Sequence, residues 1–280
     1  IAVKYEKSQE ELNQLNDSIH NRLRKSILQE AIQGKLVPQI PEERTAQELL
    51  EQIRQEKQKL VKEGKLKKFA LSDSVIYKGD DNKYYEQVGK SDKEITEEIA
   101  FDLPNGWSWC RLKDICSIFT GATFKKEETV TTKEGVRILR GGNISPFELR
   151  IKDDDIFLTK DKVKEDIILK ENDILTPAVT SLENIGKMVR VNSDMPNTTV
   201  GGFVFIIRLY LKNQWLSKYI LYLLSSPFMI DFMKSITNKS GQAFYNIGKE
   251  RLSTALLPIP SLAEQHRIVA QIEKLFEQLR

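Results

Sequence analysis

Two cysteines, two histidines and one run of aspartates are the obvious raw material for reactive chemistry in this chain of 280 residues. Their spacing argues against each use. Cys110 and Cys116 lack the C-x-x-C spacing of a zinc or redox pair, and His20 and His266 stand near opposite ends of the sequence. A Ser–His–Asp triad has to borrow one of those two histidines. Asp153, Asp154 and Asp155 have the composition of a magnesium site. A nuclease, however, pairs an Asp with a Glu-x-Lys on adjacent strands, and no such pairing is evident. The run therefore reads as a solvated acidic loop. Gly141-Gly142-Asn143 is followed by no Gly-Lys-Ser/Thr and lacks the G-x-G-x-x-G pattern, so it reads as a tight turn after a strand at 136–139. Ile185-Gly186-Lys187 reads as a hairpin turn with Lys187 exposed. No Asn-Pro-Pro-aromatic motif of a methyltransferase occurs. The chain is expected to have no catalytic residues, no metal and no cofactor of its own.

Binding chemistry remains. Lys125, Lys126, Arg137, Arg140, Lys187, Arg190 and Lys239 lie in or beside expected loops and turns. Asn143, Thr180, Ser181, Gln242 and Tyr245 are polar residues of the kinds that read base edges or hold phosphates. Each alone is an ordinary surface residue. Their concentration in a region without an active site makes them the candidate DNA-binding set. Trp107 and Trp109 can stack on bases, but are assigned to the core.

The net charge of +3 is too small to identify a polyanionic partner and does not exclude one. Two cysteines make no disulfide framework, so a reduced cytoplasm is the simplest location. No apolar run reaches the roughly 18–20 residues of a membrane span. The longest, 200–211, is interrupted by Arg208 and reads as a buried strand.

These residues must be positioned by a chain whose ends differ from its middle. In residues 10–39, Leu12, Leu15, Ile19, Leu23, Ile27 and Ala31 form one apolar stripe, and the segment closes on Gly34 and Pro38. As a helix, 10–33 reaches about 36 Å. In residues 258–280, Ile268, Ile272, Leu275 and Leu279, with Val269 and Phe276, repeat the three-and-four spacing. The two stripes predict an antiparallel pair of long coiled-coil helices, or a bundle with another chain. Thr45 and Glu48 form a capping box before a further helix. Strand-like runs at 115–119, 136–139, 173–175, 188–191 and 202–210, with helices at 215–224 and 228–235 broken at Pro227, predict a mixed α and β head. The expected organisation is a helical spacer at 1–69, a hydrated connector at 70–100, a head at 101–257 and a closing helix at 258–280, an α+β fold overall.

In that order the landmarks resemble the specificity subunits of type I restriction-modification systems. SILQEAIQGKLVPQ at 26–39, followed by Ala46-x-x-Leu49-Leu50, is similar to the family's central helical region. Leu103-Pro104, Gly106-Trp107 and Trp109 resemble the start of a target-recognition domain. ILRGGNI at 138–144, NDIL at 172–175, SGQAFYNI at 240–247 and LPIPSLAEQHRIV at 257–269 complete the match. The resemblance implies a subunit that chooses the DNA sequence for a methylating and cleaving complex without catalysing. Two target-recognition domains would each read half of a bipartite site, with helices as a ruler between them. About 36 Å is close to one turn of B-DNA, the natural offset between half-sites. The implied partners are double-stranded DNA, modification subunits carrying S-adenosylmethionine, and a translocating restriction subunit.

One head stands where the family has two. The chain is then either the second half of a longer subunit, which its start at Ile1 favours, or a half-subunit that forms a homodimer through its helices. The rival readings are a coiled-coil adaptor with a protein-binding head, and a stand-alone nuclease.

Overall fold

A computed structural model describes residues 2–130, 134–240 and 243–279, and begins with the expected long helix, α1 (Ala2–Ile32). The helix stops where glycine permits it. Gly34 takes a left-handed φ of +68°, and the N–H groups of Gly34 and Lys35 return to the carbonyls of Ala31 and Glu30 at 3.2 and 3.0 Å. A Cβ on Gly34 would run into the Pro104 ring and lie 3.3 Å from Trp107 Cζ2. The end of α1 is therefore seated on the Leu-Pro-x-Gly-Trp turn that opens the head.

Helix α2 (Ala46–Lys62) starts with half of the expected capping box. Thr45 Oγ1 accepts from the Glu48 N–H at 3.4 Å, while the Glu48 carboxylate faces Arg44 at 3.6 Å. The connector is more than a hydrated link. Ser74–Lys78, Tyr84–Val88 and Ser91–Glu94 form a three-stranded antiparallel sheet, with the Gly79–Lys83 turn closing its first hairpin.

In the head, α3 (Leu112–Ile115), α4 (Gln214–Leu224), α5 (Pro227–Ser235) and α6 (Lys249–Ser253) accompany two four-stranded sheets. Asn213 caps α4 and Ser226 caps α5, with Pro227 in its first turn. One sheet runs in the order Thr198–Val200, Val136–Leu139, Ile156–Leu158, Thr129–Val130. The other runs Val189–Arg190, Ile174–Pro177, Val204–Leu209, Cys116–Thr120. The strand Val204–Leu209 shows how the layers stack. Val204 and Ile206 enter an apolar core with Val136, Ile138, Leu158 and Val200 of the first sheet, while Phe205, Ile207 and Leu209 enter the core formed with the helices. That alternation is the two-residue period of a strand buried on both faces. It begins two residues later than expected, so Gly201, Gly202 and Phe203 form a loop.

The closing helix α7 (Leu262–Gln278) is capped by Ser261, whose Oγ accepts from the Glu264 N–H at 3.1 Å. It runs antiparallel to the end of α1. Arg24 Nη2 donates to the Leu279 carbonyl at 3.0 Å at one end, and Gln39 Nε2 donates to Glu264 Oε1 at 2.7 Å at the other. Ile268 and Ile272 are buried, Ile27 packs against the same core, and Leu275 and Leu279 are half-buried. The expected long coiled coil does not form. α7 is 17 residues against 31 in α1, so it reaches only the last turns of α1, and Leu12, Leu15, Ile19 and Leu23 stay exposed. Among the described residues no helix is long and apolar enough to cross a membrane.

Candidate nucleic-acid interface

The strand registers bring five segments of the head to one edge. Pro177 pairs with Val204 and Thr120 with Phe205 in one sheet, and Leu139 with Val200 in the other. Beyond these positions the chain leaves the sheets together. The Gly201 N–H donates to the Leu139 carbonyl at 2.8 Å, the Ala122 N–H to Val200 at 2.7 Å, and the Ala178 N–H to Phe203 at 2.8 Å. The strand Val179–Thr180 then pairs with Phe244–Ile247, which forms a hairpin with Thr237–Ser240. Glycine is needed for this convergence: a Cβ on Gly121 would collide with the Val200 carbonyl, and one on Gly202 would sit 2.9 Å from Thr123 Oγ1.

Two lysines stand by this edge: Lys239 sits on the hairpin opposite Tyr245, and Lys152 Nζ lies 3.4 Å from where a Cβ on Gly142 would stand. Lys125 and Lys126 lie on the segment that leaves the Gly121 turn and runs to Thr129, which pairs with Leu158 at the Val136 end of the sheet. Among the described residues none of the four makes a salt bridge, whereas a cation that neutralises a phosphate must be unpaired or give up its partner. Arg140 is exposed but paired with Asp154 at 3.2 Å. Two aromatic residues of these segments are largely exposed, Phe203 at 72% in the loop before Val204 and Phe244 at 55% on the hairpin.

Several of the expected residues are committed elsewhere. Asn143 is 1% exposed, and its amide donates to Asp155 Oδ1 and the Arg150 carbonyl while its oxygen accepts from the Arg140 N–H. It is the fastener of the Gly-Gly turn. Arg137 pairs with Asp155 at 2.9 Å and lies over the Phe157 ring. Asp155 is thus not part of a solvated acidic loop. Burial opposes its ionisation, but the Lys152 N–H, the Asn143 amide and Arg137 together hold its carboxyl below the usual carboxylate range. Thr180 is buried in its strand, Ser181 accepts from Asn184 Nδ2 at 2.9 Å, and Tyr245 is half-buried. Gln242 falls outside the described residues.

Arg190 sits toward the opposite end of its sheet, across from Ile174, and donates to Asn172 Oδ1 at 2.6 Å. Burial pushes its pKa down. Lys187 is half-buried, not exposed, on a chain turned by Gly186 at φ +87°. It lines a groove of about 930 Å³ between α1, α7 and the 146–148 turn, with Arg24, Phe147, Glu273 and Phe276. Lys187 thus lines the junction of head and helices, while Arg190 lies toward the end of its sheet far from Pro177. Phe203, Phe244 and Lys152 are not among the residues singled out from sequence. The one signal for Phe203 was the Gly201-Gly202 pair, which marks a close backbone approach rather than a strand start.

Among the described residues no group of His, Cys, Asp and Glu is arranged to hold a metal. Cys110 and Cys116 are buried, and burial pushes both thiols far up, so neither is a ready nucleophile.

Lysines without salt-bridge partners, exposed aromatic residues and glycine-turned loops have the make-up of a recognition surface. Residues 104–280 match the Methylase_S family, the type I restriction modification DNA specificity domain. The chain is 32% identical over 273 residues to the specificity subunit of type I restriction enzyme EcoAI of Escherichia coli, covering 91% of this chain and 39% of that protein. It is 27% identical over 258 residues to the EcoEI specificity subunit of the same organism, covering 91% and 40%. A crystal structure of the HsdS subunit from Thermoanaerobacter tengcongensis aligns with a TM-score of 0.45 at 18% identity, over 98% of this chain and 51% of that one. The chain belongs to the type I restriction-modification specificity-subunit family. It spans about two fifths of the length of these two curated relatives.

Proposed function

We propose that this chain is a non-catalytic DNA sequence-recognition unit of a type I restriction-modification complex. Its head reads one half of a bipartite site in double-stranded DNA through the convergent loop edge. Its helices set the spacing to the other half-site and dock the modification subunits, on which S-adenosylmethionine is bound, with the restriction subunit joining that assembly. The single observation that carries this reading is the edge itself, where loops from several strands end together with exposed Phe203 and with Lys152 and Lys239, neither of which makes a salt bridge among the described residues. The exposed Leu12–Leu15–Ile19–Leu23 stripe supports a helical partner, either another helical region of a longer subunit or a second copy in a homodimer.

The same stripe also favours the rival reading, an adaptor whose head binds protein, and salt separates the two. Each phosphate contact adds about 0.9 to the slope of log affinity against log salt. In the complex with its modification subunits, replacing Lys125, Lys126, Lys152 and Lys239 with Gln should lower that slope by about 1 per residue while keeping sequence preference. An unchanged slope in a folded complex would place the phosphate contacts elsewhere. DNA binding without sequence preference in the unmodified complex would favour the adaptor.

A further inference from the structure

We infer that Phe203 is a base-reading residue, and that it reads an A·T pair by packing its ring on the 5-methyl group of thymine. This inference rests on the DNA-recognition reading above.

At 72%, Phe203 is the most exposed large hydrophobic residue among those described. A phenyl ring left largely in water forgoes most of the gain of burial. The exposure is not a fraying loop. The Phe203 carbonyl accepts from the N–H groups of Ala178 and Val179 at 2.8 and 3.4 Å, and the Gly201 N–H and carbonyl are bonded to Leu139 and Val204. The ring is thus held out on a short segment pinned at both ends. Gly201 and Gly202 precede it, so no neighbouring side chain on that side shields it.

Charge identifies what the ring meets. Ala178 and Val179, which hold the Phe203 carbonyl, lead into the strand that pairs with the Lys239 hairpin, and Pro177 beside them lies against Gly141, whose neighbour Gly142 has Lys152 Nζ close by. A partner that is anionic at its edge and apolar at one point inside that edge fits this arrangement. DNA supplies it in the major groove, where phosphates flank base edges and the thymine methyl is the apolar mark.

The test uses the complex with its cognate modification subunits and methyltransfer to a randomised DNA library, comparing unmodified protein with Phe203→Ala and Phe203→Leu. Phe203→Ala should relax selection at one A·T position and leave the rest of the motif intact, with the melting temperature unchanged because the ring is exposed. Phe203→Leu should keep part of the selection. Deoxyuridine in place of thymine at that position should lower kcat/KM of the unmodified complex about 4- to 10-fold, the worth of one methyl group. It should have no further effect on Phe203→Ala. The inference is overturned by an unchanged motif, by relaxation at a G·C position, by a deoxyuridine penalty that persists without the ring, or by loss of subunit docking in Phe203→Ala. Absence of any motif with the unmodified complex would instead defeat the DNA-recognition reading beneath it.

Discussion

Replacing Gly34 with Ala tests whether the end of α1 is locked onto the head. Two costs follow from the geometry. The left-handed φ of +68° costs a residue with a Cβ about 1–2 kcal/mol. The new Cβ also meets the Pro104 ring and lies 3.3 Å from Trp107 Cζ2. Overpacking of that kind typically costs about 1–3 kcal/mol. A total near 3 kcal/mol corresponds to a fall in melting temperature of roughly 6–12 °C in a chain of this size. Thermal unfolding of Gly34→Ala, Pro104→Ala and the double variant separates the two costs. Removing the Pro104 ring should recover the collision and leave the backbone cost, so the pair should be non-additive by about 1–3 kcal/mol. A melting temperature for Gly34→Ala within about 1 °C of the unmodified protein would refute this reasoning, as would strict additivity in the cycle.

The exposed stripe on α1 makes a second case. Leu15, Ile19 and Leu23 each changed to Glu should abolish self-association or subunit docking while the head stays folded, since their side chains touch no core; an unchanged mass by light scattering with intact subunit capture would count against a helical partner. A third concerns acid. Arg111 binds Glu86 at 2.7 Å and Glu98 at 2.8 Å, and although burial opposes it, these contacts bring both carboxyls below their ordinary value. Depressed carboxyls stabilise the fold above their unfolded pKa, near 4.3, and that stability is lost as pH falls through the folded value. Arg111→Gln, already less stable at neutral pH, should therefore lose less melting temperature between about pH 5 and pH 3 than the unmodified protein. Parallel pH profiles for the two would rule out this pair as a source of acid sensitivity.

The helices were legible because their stripes keep a three-and-four period and end in glycine and proline. The strand Val136–Leu139 and the two helices around Pro227 were legible for similar reasons. The connector sheet was not, because its strands, SVIYK, YYEQV and SDKE, lie largely open to solvent and carry charges that mask a two-residue period. The length of contact between α1 and α7 was also hidden, since matching periodicity says nothing of where two helices overlap. Among the candidate DNA contacts, residue type gave no account of internal partners. Arg137, Asn143 and Arg190 have the right chemistry but spend it on Asp155, on the Gly-Gly turn and on Asn172. Lys152 and Phe203 do the reverse, standing at the edge only because distant strands end there together.

The central claim is that this head selects a DNA sequence. The most direct measurement is methyltransfer to a randomised DNA library by the chain assembled with its cognate modification subunit, with and without a second head supplied by upstream sequence. Methylation should be confined to a bipartite motif, one half of which is lost or altered when this head is exchanged. Methylation indifferent to exchange of the head, from a folded and docked complex, would contradict it.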